Sequence, residues 1–212
     1  MINLTQIDSA YNKSISDTFE KLKDAYNDID QNYKFDLTNT EITEAILQRL
    51  KTYYVTQNNI KTFLDKRYLA AASDFFVEST LFFLKLYFKS KGGNLQAHSE
   101  RQIKQTKNAI RPDISIWKEN EVIAIIECKT QLGWNRHNWE QQYLDRDAKL
   151  KVDFPNAKSF LLVMTGLNWS GFGDNSKLND SYFCLLNDIW PSTYSDKTQI
   201  FTPIEGLIKQ LK

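Results

Sequence analysis

Two short apolar runs, Ile110–Trp117 and Val122–Lys129, constrain this chain more than anything else in it, because the polar turn Glu119-Asn120-Glu121 separates them. Runs of that length, rich in Ile and Val and broken by a turn, read as a pair of central strands. A hairpin centred on Asn120 sets Asp113 opposite Glu127 across the ladder. Side chains alternate along a strand, so Glu127 and Lys129 share one face roughly 7 Å apart while Cys128 turns into the packing. Asp113, Glu127 and Lys129 therefore converge beside Ile114, Ile116, Val122, Ile123, Ala124, Ile125 and Ile126. Unpaired charge is costly in such surroundings, so either a metal or a mutual ion pair is expected there.

Context gives this triplet its weight. The chain holds a second acid-x-lysine triplet, Asp147-Ala148-Lys149, in a polar helical stretch where it reads as solvated surface. The plain alternatives for the first are a cross-face salt bridge between Glu127 and Lys129 and a turn role for Asp113 after Pro112.

Around the hairpin the periodicity is mostly helical. Ile7, Tyr11, Ile15, Phe19, Leu22, Tyr26 and Ile29 recur at three- and four-residue steps, which predicts an amphipathic helix from about Thr5 to Ile29 with an acidic polar face. A second helix starts near Thr38 or Thr40, where Glu41 suits a capping box, and runs through Ile42, Ile46, Leu47 and Leu50. A third covers Asn59 to Leu64. The strongest is Leu69–Lys89, stopped by Lys91-Gly92-Gly93. Leu95–Gln105 reads as the first strand, Asn138–Val152 as a helix, Phe160–Thr165 and Tyr182–Leu186 as further strands, and Pro203 as the opening of a last helix. The central strands are apolar on both faces, so helices should cover both sides of the sheet. The expected organisation is a helical N-terminal region, residues 1–68, followed by an α/β core, residues 69–212.

Composition excludes several classes. The two cysteines lie in apolar runs and read as reduced core thiols of a cytoplasmic protein. His98 and His137 have no metal-spaced companions, so neither a zinc centre nor a hydrolase triad has support. Residues Met1 to Gln6 lack the basic and apolar regions of a signal peptide, and the apolar run Phe75 to Phe88 contains Glu78 and Lys85 and is too short to span a bilayer. No membrane partner is expected. Net charge is +1 but uneven: residues 46–111 hold twelve Lys and Arg against four Asp and Glu, whereas residues 1–45 hold four Lys against nine acids. The basic middle leads straight into the hairpin.

The order acid-bearing helix, strand, Pro-Asp strand, Glu-x-Lys strand, helix, strand, over about Leu69 to Gly166, resembles the PD-(D/E)XK nuclease superfamily. The resemblance implies a restriction-endonuclease-like central mixed β-sheet flanked by helices. It implies catalytic roles for Asp113, Glu127 and Lys129, with Glu78 as the additional helix acid and Glu100 as its competitor. Asp113, Glu127 and the backbone carbonyl of Cys128 would then hold Mg2+, a hard cation suited to oxygen ligands. The implied reaction is metal-assisted phosphodiester hydrolysis leaving 5′-phosphate ends, Lys129 orienting the nucleophile or neutralising developing charge. The Gln-x-x-x-Tyr helix signature of the exonuclease branch is absent, since Gln141 and Gln142 directly precede Tyr143.

Two sets of residues suit DNA. After the Glu-x-Lys strand come Arg136, Asn138, Gln141, Gln142 and Arg146, of types that read base edges in the major groove. Lys61, Arg67, Arg101 and Lys104 in the basic middle suit phosphates. A second polar loop, Asn168 to Lys177, is an ordinary loop by composition as well as a DNA contact candidate. The expected protein is thus a Mg2+-dependent endonuclease acting on double-stranded DNA, restriction-enzyme-like and site-specific. It would work as a homodimer, because one site cuts one strand. A structure-specific or nonspecific repair or defence nuclease, and a non-cleaving DNA-binding module, are the alternatives.

Overall fold

A computed structural model of the chain describes residues 3–107, 109–132, 138–167 and 175–211. Helices α1 (Leu4–Ile7), α2 (Ser9–Asn32), α3 (Glu41–Phe63) and α4 (Ser73–Ser90) precede strands β1 (Leu95–Ser99), β2 (Ile114–Lys118) and β3 (Glu121–Lys129). Then come α5 (Trp139–Asp153), β4 (Lys158–Thr165), β5 (Tyr182–Leu186), two short 3₁₀ turns and α6 (Ile204–Lys209). The strands form one sheet in the order β1-β2-β3-β4-β5, antiparallel from β1 to β3 and parallel from β3 to β5. The expected mixed sheet with flanking helices and a helical N-terminal region is the observed architecture. Among the described residues no helix is long and apolar enough to cross a membrane.

The helical region differs from expectation in three places. The first helix breaks at Asp8, and its start is a capping box between Asn3 and Gln6. The second and third helices are one, because Thr52 to Asn58 holds neither Gly nor Pro to interrupt the turn. The capping box at Glu41 does not form. Instead Glu205 of α6, almost fully buried, accepts hydrogen bonds from the backbone N–H of Thr43 at 3.0 Å and its hydroxyl at 2.6 Å. A carboxylate at the N-terminus of α3 answers the free N–H groups and the helix dipole, which is what makes its burial tolerable.

The hairpin holds its expected pairing by an unexpected route. Ile114 pairs with Ile126 and Ile116 with Ala124, the register that aligns Asp113 with Glu127. The turn, however, is the two residues Glu119 and Asn120 between paired Lys118 and Glu121, and a shift between Ile116 and Trp117 absorbs the difference. β1 is shorter than expected because Glu100 adopts a left-handed backbone (φ 49°) and ends it.

Both faces of the sheet are covered. On one, Ile114, Ile116, Ala124, Ile126, Cys128, Phe160 and Leu162 share a core with Phe76, Phe83 and Leu84 of α4 and Ile46, Leu47 and Leu50 of α3. On the other, Ile125 packs with Leu150 of α5, and Leu161 and Val163 pack with Tyr143 of the same helix. β3 is thus held between α4 and α5, and its last residues, Glu127 to Lys129, emerge between the two layers.

Candidate active site

Asp113 is fixed from its backbone outward. Its carbonyl accepts hydrogen bonds from the Ser99 hydroxyl at 3.0 Å and the Glu100 N–H at 3.3 Å, at the point where β1 ends. Its carboxylate Oδ2 accepts the Cys128 N–H at 2.8 Å and the Lys129 ammonium at 3.2 Å. Lys129 Nζ also lies 3.6 Å from Glu127 Oε2, so one cation spans two acids. Glu127 is the buried member, with a side chain 9% exposed against 29% for Asp113 and 44% for Lys129. Its other oxygen, Oε1, is gripped by the Arg146 guanidinium from α5.

Burial, and next the neighbouring negative charge of Asp113, push the Glu127 carboxyl above the ordinary carboxylate range, against the opposing pull of Arg146 and Lys129. Cys128 faces away, as expected. Its side chain belongs to the α4-side core, and burial drives the thiol well above its usual value, so the sulfur is an inert packing group.

Two clefts meet at Lys129 and Gln131. One, of about 520 Å³, runs beneath α4 and is lined by Asp74, Glu78, Glu100, Asp113 and Lys129 among others. Glu78 and Glu100 therefore stand on the same cleft, and the geometry keeps both as neighbours of Asp113. The other, of about 430 Å³, opens toward α5, with Glu127, Gln142 and Arg146 as polar groups and Leu132, Trp139, Tyr143 and Leu161 as apolar walls.

Among the described residues no group of three or more His, Cys, Asp or Glu side chains converges in a manner that would hold a metal ion. What is present is two carboxylates, Asp113 and Glu127, the second raised first by burial and then by the charge of the first, beside a strand end with a backbone carbonyl at Cys128. These are oxygen donors, the type a hard dication takes, and among the described residues they do not make an all-protein cage.

The DNA-contact candidates fall in different places. Arg136, with Trp134, Asn135 and His137, lies outside the described residues, as do Asn168 to Asp174 of the second loop. Gln142 lines the α5-side cleft, whereas Gln141 donates to Asp145 along its own helix at 2.8 Å. Asn138 is the residue before α5 and makes no side-chain cap there. Arg146 pairs with Glu127 and lines the same cleft as Gln142. Lys104 pairs with Asp153, and Arg101 lies over the Trp117 ring at 4.1 Å. Lys61 lies in the last turn of α3, and Arg67 lies over Tyr68 at 5.0 Å.

The Arg146–Glu127 pair was missed by sequence reasoning, yet its signal was there. Tyr143 and Leu150 are the buried residues of α5. Arg146, three after the one and four before the other, shares their inward stripe.

The class these features define is a mixed-sheet α/β protein with two carboxylates and a lysine at the end of a central hairpin. No family model matches the chain, and no curated protein matches it. Among solved structures it is similar to the native BbvCI A2B2 tetramer determined at low resolution, at 14% identity over 89% of this chain and 93% of that one, with a TM-score of 0.31.

Proposed function

We propose that this chain is a Mg2+-dependent DNA endonuclease that hydrolyses phosphodiester bonds, acting on duplex DNA in the manner of a site-specific restriction enzyme. One observation carries the reading: Asp113, Glu127 and Lys129 meet within hydrogen-bond or ion-pair distance at a strand end that opens onto two clefts.

Each residue has a task in that chemistry. Mg2+ held by Asp113, Glu127 and the Cys128 carbonyl would supply a Lewis acid for the scissile phosphate. Asp113 is preorganised by the Cys128 N–H, so its carboxylate needs no reorientation. Lys129, shared between two acids and nearly half exposed, presents N–H donors toward the clefts, where they stabilise charge growing on phosphate oxygens or orient the attacking water. Arg146 fixes the Glu127 carboxylate from behind. Glu78 or Glu100 would add a carboxylate from the cleft wall.

Cutting both strands needs two copies. The exposed apolar stripe Leu4, Ile7, Tyr11, Ile15 and Phe19 along α1 and α2, between 58% and 80% accessible, offers a surface for such a homodimer. Digestion of a mixed-sequence plasmid with Mg2+ tests the whole reading. Discrete bands support a site-specific enzyme, a smear a nonspecific or structure-specific nuclease, and intact DNA at all protein concentrations contradicts catalysis.

A further inference from the structure

The far end of α3 has no role in the site, yet its exposure is unusual. The helix buries six residues between Ile42 and Tyr54 and none from Val55 to Phe63. At 1.5 Å per residue those last turns reach about 13 Å past the core. The tip carries three large apolar side chains in water: Phe63 at 86% exposure, Leu64 at 58% and Tyr68 at 67%. Single exposed hydrophobes are ordinary on a protein surface, but three within six residues at a projecting point form a patch.

The charge beside that patch is mainly positive. Within residues 61–68 the chain holds Lys61, Lys66 and Arg67 against the single acid Asp65. The tip is also built with care. Asp65 takes the left-handed conformation (φ 51°) that closes a helix, and the Lys66 N–H returns to the Lys61 carbonyl at 2.9 Å, so both lysines flank the apolar group. The chain leaving the tip is tied down beside α4: the Tyr53 hydroxyl donates to the Ala71 carbonyl at 2.7 Å, and its ring stacks on Phe75 at 4.8 Å. Two residues after Ala71 come Ser73 and Asp74, which line the cleft that holds Asp113 and Lys129.

The geometry points to a duplex-DNA wedge: Phe63 and Leu64 enter a base step from the minor groove while Lys61, Lys66 and Arg67 hold the phosphates beside it. This rests on the proposed nuclease reading and extends it, since it says how the substrate is shaped. Inserting an apolar side chain between base pairs unstacks them and bends the duplex, and the bend is repaid by contacts along the basic surface. A duplex bent at the tip of α3 is thereby led toward the cleft of Asp113.

The experiment uses the full chain in a Glu127→Gln background, so that DNA stays whole, and a short duplex carrying 2-aminopurine at successive steps and a fluorophore pair at its ends. Binding should raise 2-aminopurine emission several-fold at one step and change the end-to-end transfer. Adding Phe63→Ala with Leu64→Ala should abolish both signals and weaken binding about tenfold. Adding Lys61→Ala with Arg67→Ala should leave the unstacking signal and flatten the dependence of affinity on salt. Unchanged signals in the Phe63/Leu64 variant, or silence at every step with the parent, would overturn the wedge. So would Phe63-dependent binding to phosphatidylserine vesicles with no 2-aminopurine response. If the parent variant does not bind DNA and the wild-type chain, assayed in parallel with Mg2+, does not cut it, the nuclease reading falls as well. Normal cutting by the wild-type chain, with equal bending by the Glu127→Gln protein with and without Phe63 and Leu64, removes the wedge alone.

Discussion

Arg146 of α5 holds the carboxylate of Glu127 on β3, joining the helix layer to the strand that carries the acid. The pair links packing to chemistry. Glu127 is nearly buried, and without the guanidinium its charge would face only the half-exposed Lys129 at 3.6 Å.

Arg146→Ala should therefore cost the free protein about 1–3 kcal/mol of stability, since it strips a buried carboxylate of its closest partner. Chemical denaturation of wild type and variant without DNA measures this. A residue serving only as a DNA contact would leave that curve unmoved and change binding alone.

Lys129→Ala should lower the cleavage rate about 10²–10⁴-fold. Metal affinity should hold or rise, because the ammonium next to Asp113 and Glu127 opposes a second cation. Calorimetric titration with Mg2+ separates the roles: loss of metal binding together with activity would make Lys129 a brace for the carboxylates.

The raised Glu127 carboxyl predicts a pH dependence of stability. Its folded-state pKa lies above the unfolded value, so the folded protein binds this proton more tightly. The contribution favours folding at pH below the carboxylate range and is lost as pH rises through the folded pKa. Glu127→Gln should accordingly melt higher than wild type at neutral pH, the gap closing in acid. A variant that melts lower at neutral pH would mean that the Arg146 pair outweighs burial.

How far the sequence speaks can be judged residue by residue. A hairpin centred on Asn120 sufficed to align Asp113 with Glu127, and the observed pairing of Ile114 with Ile126 keeps that alignment. The turn itself was misplaced. A bulge at Ile116/Trp117 has no residue signature, and it compensates for a loop one residue shorter. The end of β1 was hidden for a similar reason, since Glu100 takes a left-handed backbone that usually announces itself as Gly or Asn. The fused α3 and the carboxylate of Glu205 at its start are tertiary facts: the acid lies more than 160 positions from Thr43. Arg146 was legible as a charged residue and as a member of an inward helical stripe, but which acid it meets depends on how α5 lies on β3.

Burial predicts inert thiols. Cys184 is pushed up to about 12 and Cys128 is raised strongly as well, both by desolvation. Neither should react with a thiol-directed disulfide reagent at pH 8 while the chain is folded, and both should titrate in denaturant. Rapid modification of one thiol in the native protein would place that cysteine at a surface.

The most direct test measures cleavage and binding side by side for wild type, Asp113→Asn and Glu127→Gln on the same duplex with Mg2+ and with chelator. Wild type should cut only with Mg2+, and each variant should bind the duplex with near-wild-type affinity while its cleavage rate falls by at least about a thousandfold. Near-normal cutting by either variant at saturating Mg2+, or wild-type cutting in chelator, would contradict the assignment of Asp113, Glu127 and Lys129 as the active site.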